Sequence, residues 1–218
     1  MRATDSLRER ILKGDLPPGG RLTEVQLSNQ LQVSRATVRA ALNHLAAEQL
    51  VDLIPYTGWS TRALTAHDAW ELYTLRASLE GLAASIASEK ITPENGKQLV
   101  ICLGLLADAC AADDASAIAA ADYELHVCII ELSEHKRLRE QYMSLEQQVR
   151  RYIALSDELL INKSDIYQQH RPLVDAILRG DSNVADEIAK NHNLSEGRVL
   201  VAHLQAIENS PGSPSLQS

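Results

Sequence analysis

The sequence predicts an all-α dominated fold: an N-terminal winged helix-turn-helix with a small β-hairpin wing, then an antiparallel six-helix bundle. Apolar residues recur at helical spacing over most of the chain. Phe is absent and aromatics are only 4%, while hydrophobic residues reach 45% of 218 positions. The core is therefore built from Leu, Ile, Val and Ala. Only 10 Gly and 7 Pro punctuate the chain, which fits long helices with short connections.

The head comes first. Residues 2–13 predict a helix with Leu7, Ile11 and Leu12 on one side, ended by Gly14. The breakers Pro17-Pro18-Gly19-Gly20 form a turn. Thr23 and Gln26 match a capping box, in which each end satisfies the other's backbone N–H, and open a second helix to about Leu31. After a tight turn at Gln32-Val33, Ser34 caps a third helix reaching Glu48. Val38, Ala41, Leu42 and Leu45 give that helix a buried face. Arg35, Thr37 and Arg39 lie away from it, near the N-terminal end. An exposed helix start with two arginines and a hydroxyl suits phosphates and the edge of a guanine in a major groove. The runs Leu50–Ile54 and Trp59–Leu64, joined by Pro55-Tyr56-Thr57-Gly58, read as a β-hairpin directly behind it. Gly58 at the tip lets backbone approach a groove, and Arg62 can reach a phosphate.

Residues 7–64 resemble the DNA-binding domain of the GntR family of transcription regulators. Ile11-Leu12-Lys13-Gly14, Pro18–Glu24, Val33-Ser34-Arg35, Val38–Leu42 and Pro55–Gly58 carry the resemblance as an ordered set. This chain has Thr37 where the family often has Pro, Ala40 where it has Glu, and Gln32 at a turn usually held by Gly. The resemblance implies contacts to operator DNA through Ser34, Arg35, Thr37, Arg39, Gly58 and Arg62.

Charge separates the head from the body. The net charge is -8; residues 1–65 hold eight Lys and Arg against six Asp and Glu, the remainder thirteen against twenty-three. A slightly basic head on an acidic body suits DNA contact through the head alone. The excess is small, which argues for two heads acting together in a homodimer. Cys102, Cys110 and Cys128 lie inside apolar helical patterns and read as free thiols in a reducing compartment. No secretory leader or membrane span is expected: the longest weakly polar run, Leu99–Ala112, is short and carries Asp108. A cytoplasmic protein is the expectation.

From Thr65 onward the chain reads as helices over 66–89, 92–112, 114–133, 136–161, 164–179 and 182–206. The expected division is a head at 1–65, an effector and dimerisation domain at 66–207, and a disordered tail at 208–218. One group of candidate metal ligands lies in the bundle. Asp122 and His126 are four apart and share a helix face. His170 and His192 flank the turn at Gly180-Asp181 at similar distances, so an antiparallel hairpin brings them level. One carboxylate and three imidazoles suit Zn²⁺ first, with Ni²⁺, Mn²⁺ or Fe²⁺ as alternatives, and leave coordination positions open.

The segments Asp122–His126, His170–Ile177 with Gly180-Asp181, and Asn191–Leu194 resemble the FCD effector domain of the family's FadR branch. Arg76–Glu80 resembles its opening motif, and six helices rather than seven its VanR-like subgroup. His135 stands where an Asn is common. The resemblance implies a metal held by Asp122, His126, His170 and His192. A buried cation attracts a small organic anion such as a carboxylate or sugar acid. Arg76 or Arg150 could pair with a second anionic group, against the plainer reading of structural ion pairs such as Arg76 with Glu80. The expectation is a ligand-responsive regulator of the repressor type. The alternatives are a metal-dependent enzyme built on the same four residues and a metal-free regulator of the same fold. Nothing beside the four residues reads as a general base, and no hydrolase signature occurs.

Overall fold

The computed structural model describes residues 2–12 and 14–210. The chain divides into two compact units between Leu64 and Thr65.

In the first unit, α1 (Arg2–Leu12) buries Ala3, Thr4, Leu7 and Ile11. Arg8 clasps Glu48 through two hydrogen bonds of 2.8 and 2.7 Å, tying α1 to the end of the third helix. The second helix, α2 (Glu24–Leu31), starts at Thr23, whose hydroxyl accepts from the Gln26 N–H at 3.4 Å. Half of the expected capping box differs. The Gln26 side-chain oxygen takes the Thr23 hydroxyl at 2.9 Å. Gln32 ends α2 in the left-handed region, φ 54°. Its side chain donates to the Asn29 carbonyl at 2.7 Å, which helps a non-glycine residue hold this conformation. The third helix, α3 (Arg35–Ala47), buries Val38, Ala41, Leu42 and Leu45, as its apolar spacing requires. These pack with Leu7, Ile11, Leu27 and Trp59 into one core.

The wing pairs β2 (Val51–Ile54) with β3 (Gly58–Thr61) antiparallel, with Val51 opposite Thr61 and Ile54 opposite Gly58. Gly58 has φ +103°, which only glycine adopts without strain. Among the described residues the sheet has a further strand, β1 (Arg21–Leu22), on the other side of β3. Two residues are too few to show a period, so the sequence assigns them no element.

The second unit is a bundle: α4 (Ala66–Glu89), α5 (Pro93–Ala112), α6 (Ala115–Leu132), α7 (Lys136–Ser144), α8 (Glu146–Leu159), α9 (Ser164–Leu178) and α10 (Ser182–Glu208). Among the described residues it therefore has seven segments where six were expected, and the count behind the VanR-like comparison changes accordingly. The expected helix over 136–161 breaks at Leu145. There the Leu145 N–H turns back to the Tyr142 carbonyl at 3.0 Å, and the Leu145 carbonyl starts the next helix by accepting from Val149 at 2.9 Å. No Pro or Gly marks the break, so the sequence read through it.

Side chains of Thr65, Thr92, Asp114 and His135 cap four of these helices. His135 Nδ1 accepts from the Leu138 N–H at 3.2 Å, so the departure from Asn keeps the capping role. The longest helices, α4 and α10, pack so closely that a Cβ at Gly197 would lie 2.6 Å from Tyr73 Cβ. That approach explains a glycine inside a helix, where it otherwise costs stability. Cys102, Cys110 and Cys128 are free thiols. No helix among the described residues is long and apolar enough to cross a membrane. The expected tail lies mostly outside the described residues; α10 itself continues to Glu208.

Candidate functional site

The bundle interior buries an unusual polar cluster. From α6 come Asp122 and His126, each 1% exposed. From α9 comes His170, and from α10 His192, also buried. Gly180, with φ +75°, turns α9 into α10 and accounts for the last two meeting. Their ring centroids are 4.4 Å apart. The structure therefore brings together all four residues that the sequence singled out.

The geometry is that of donors around a common centre. His126 Nε2 is 3.0 Å from Asp122 Oδ1, His170 Nε2 is 3.5 Å from the same oxygen, and the two Nε2 atoms are 3.2 Å apart. Donors about 2.0–2.2 Å from one ion stand roughly 3.0–3.5 Å from each other. The metal-binding atoms of the three histidines lie within 4.8 Å of one another. Each outer nitrogen has an acceptor beside it. His170 Nδ1 meets the Ile166 carbonyl at 2.7 Å and His126 Nδ1 faces Glu80 Oε2 at 2.8 Å. Both partners are acceptors, so each Nδ1 carries the proton and each Nε2 presents a lone pair. Two lone pairs facing each other at 3.2 Å repel unless a cation or a proton lies between them.

Protonation answers that repulsion in the metal-free state. Burial works against the charged form, yet Glu80 and Asp122 push the His126 imidazolium up to about 10. His170 is raised as well, burial opposing and Asp122 prevailing. Burial and the other two imidazoles drive His192 down, so it stays neutral. A divalent ion bound by these residues must displace protons, so binding weakens as pH falls.

Glu80 is the hub that sequence reasoning noticed only as the partner of Arg76. Its Oε1 accepts from Arg76 Nε at 2.9 Å and from the Tyr142 hydroxyl at 3.0 Å. Its Oε2 accepts from Asn193 Nδ2 at 2.8 Å and faces His126. Burial alone would push its carboxyl up, but Arg76 and His126 hold it well below the usual carboxylate range. Arg76 is fully buried, and its two terminal nitrogens have no hydrogen-bond partner among the described residues. Asp122 Oδ1, His192 Nε2, the Tyr123 hydroxyl and Asp157 Oδ2 are orphaned in the same way. Such groups are rare in folded interiors and call for a ligand, an ion or ordered water.

Two further acids went unnoticed. Glu196 lies 3.5 Å from His192 Nε2; its position four residues after His192 was the available signal. Burial, then Asp122, raises it to about 7. Asp157 on α8 is raised to about 9 by burial and Asp122, and no local spacing announces it. Arg150 is committed elsewhere. It pairs with Glu124 at 2.8 Å and Glu146 at 3.0 Å, and its guanidinium lies 3.7 Å from the Tyr123 ring centroid.

On the head, the expected DNA-facing residues occupy one end of α3 and the wing. Ser34 Oγ accepts from the Thr37 N–H at 3.1 Å and contacts the Thr37 hydroxyl at 2.8 Å. The Arg35 side chain is 64% exposed and only 3.8 Å from Glu24. Arg39 forms a two-pronged pair with Glu24, both bonds 2.7 Å, a link the sequence did not announce. Arg62 donates to Gln49 at 2.9 Å.

Known proteins place this arrangement in context. Residues 1–60 match the model of the bacterial regulatory proteins of the gntR family, and residues 71–195 match that of the FCD domain. A "Probable D-xylose utilization operon transcriptional repressor" of Paenarthrobacter nicotinovorans is 26% identical, over 95% of this chain and 88% of that protein. The HTH-type transcriptional repressor GlaR of Escherichia coli is also 26% identical, over 87% and 90%. A Rhodococcus sp. RHA1 crystal structure described as a GntR transcriptional regulator superposes with a TM-score of 0.77 at 25% identity, over 92% of this chain and 96% of that one. Escherichia coli McbR shares the fold, with a TM-score of 0.74 at 21% identity, over 93% and 96%. The family and these relatives are regulators and not enzymes. The chain is a transcription regulator of the GntR family, in the FadR branch, with a helical FCD domain behind its winged head.

Proposed function

We propose that this regulator is a homodimeric repressor whose helical domain holds a divalent metal and senses a small organic anion there. One observation carries the reading: buried donor atoms of Asp122, His126 and His170 stand 3.0–3.5 Å apart with their lone pairs directed at one another. His192 completes the set, and Zn²⁺ suits such a nitrogen and oxygen shell. The bound ion would supply positive charge for a carboxylate or sugar acid. Arg76, with two unpaired N–H-bearing nitrogens in the same buried cluster, would take a second anionic group. The orphaned acceptor Asp157 Oδ2 would take a hydroxyl.

In the head, Arg35 is the better base reader, because Arg39 is already clamped by Glu24. Ser34, Thr37 and Arg62 would contact phosphates, and Gly58 would let the wing tip approach a groove. An anion that binds one bundle conformation more tightly would change operator affinity by that difference.

The test is metal analysis of protein purified without chelator, with a gel shift on its own promoter DNA. Near-stoichiometric metal, lost on Asp122→Ala and released as pH is lowered from 7 to 5, is the expected result. A folded, metal-free protein that binds the operator and responds to an anion would overturn the metal while leaving the regulator intact.

A further inference from the structure

We infer that Tyr56, at the tip of the wing, is a wedge: its ring enters the minor groove, lodges at one base step and bends the duplex there. The chain thereby selects a deformable step that it reads through no hydrogen bond. This rests on the approach of the wing to DNA proposed above and adds the residue that acts there.

The tip is built against local preference. The Thr57 N–H bonds to the Ile54 carbonyl at 3.1 Å, with Pro55 and Tyr56 between them. Pro55 takes the first corner and Tyr56 the second, at φ 65°, the pattern of a type II turn. Gly or Asn suits that second corner; a large aromatic residue is strained there. Among the described residues, the other non-glycines with positive φ are Gln32, Gln49, Asp113 and Glu134. All four lie at or just after helix ends, where a left-handed residue closes the helix. Tyr56 closes no helix, and the turn gains no packing from its ring, because the side chain is fully exposed.

What the strained corner achieves is display. Leu53 and Ile54 are 60% and 43% exposed beside it, so the hairpin ends in an apolar point. Asp52 is the only ionised residue from 51 to 61, so the tip has no cation for a phosphate. Arg62 lies at the hairpin's base, where its N–H bonds to the Leu50 carbonyl. A tip without cations gains little from the DNA backbone. Apolar side chains act instead on stacked bases, partly separating one step and bending the duplex by roughly 20–90°. The minor groove, about 6 Å wide, admits a flat ring, with Leu53 and Ile54 against its sugar walls. Anionic lipid is a poorer occupant, because the tip carries no positive charge.

The tip is also tied to the recognition helix. Trp59 of β3 stands opposite Leu53, and its indole hydrogen-bonds to Glu24. Glu24 holds Arg39 by two bonds of 2.7 Å and lies 3.8 Å from Arg35. One carboxylate therefore joins the wing to the arginines of α3, so a base contact by Arg35 sets where Tyr56 falls. Pyrimidine–purine steps unstack most readily, and such a step under the wing is the favoured sequence.

The full chain can select its duplex from a random-sequence pool, and hydroxyl-radical footprinting locates the minor groove that the wing protects. The fluorescent base aminopurine, placed at the step there, should brighten several-fold when wild type binds. Tyr56→Asn should abolish that rise and weaken binding roughly tenfold, the scale of one lost ring–base stack. Because Asn suits the left-handed corner, the head's denaturation midpoint should stay level or rise. Falling affinity with undiminished stability is a result that a merely structural tyrosine does not give. Tyr56→Phe keeps the ring and should match wild type. A purine–purine step in place of the pyrimidine–purine one should weaken wild type and leave Tyr56→Asn unaffected. Undiminished affinity of Tyr56→Asn, or a step preference that survives it, would overturn the wedge. So would a protected groove without the aminopurine signal, which leaves the wing's approach to DNA standing. An unprotected groove would overturn both, while protection over the α3 contacts still reports DNA binding by the head.

Discussion

The two units bury different things. The head closes on an apolar core in which Leu7, Leu42, Leu45 and Leu50 are fully excluded from water, and its charges lie at the surface. The bundle encloses Arg76, Glu80, Asp122, His126, His170, His192 and Asn193. Burying charge in an apolar interior costs several kcal/mol per ion before pairing offsets it. Evenly spaced leucines would have held the same helices together. The head's interior therefore explains its stability, while the bundle's interior holds charges that stability alone does not call for.

Perturbing each interior in turn sharpens that contrast. Arg76→Leu has the largest expected effect. It strips the buried Glu80 of its strongest counter-charge, and should cost about 3–5 kcal/mol. Chemical denaturation should show the loss in the bundle, with the head's tertiary signal from Trp59 less affected. An unchanged bundle midpoint would mean that Glu80 finds a replacement partner. Leu42→Ala removes a fully buried head side chain and should cost about 2–5 kcal/mol through transfer and cavity terms. Operator binding would fall while metal content stays the same; equal loss of both would show that the units fold as one. Ser34→Ala is the smallest of the three. It removes the cap of α3 and should cost about 1 kcal/mol, read as a lower head midpoint and weaker operator binding.

Legibility follows the same division. The head could be read almost entirely, because its signals are local. A capping serine, an apolar i, i+3, i+4, i+7 set and a glycine at a hairpin tip each lie within a dozen residues. What escaped there was β1, which is too short to have a period, and the clamp of Glu24 on Arg39. The four clustered residues of the bundle were legible for a narrower reason. Asp122 and His126 share a face by spacing, and His170 and His192 flank one visible turn. Glu80 was seen only as half of an ion pair with Arg76. Its contacts to His126, Tyr142 and Asn193 span up to 113 residues, and no periodicity encodes such pairings. Arg150 illustrates the converse: a cation on a helix looks available in sequence, but Glu124 and Glu146 occupy it.

By itself the sequence determined which segments are helical, where the helices of the helix-turn-helix are capped, and that a head precedes a bundle. Those properties depend on neighbours within one or two turns, where backbone sterics and side-chain spacing decide the outcome. Only the tertiary structure decided that two Nε2 atoms and one carboxylate oxygen converge within 3.5 Å, that Glu80 binds the cluster to α4, and that the helix over 136–161 breaks at Leu145. Convergence of this kind depends on how helices distant in the chain pack, and packing is a property of the whole interior rather than of any stretch within it.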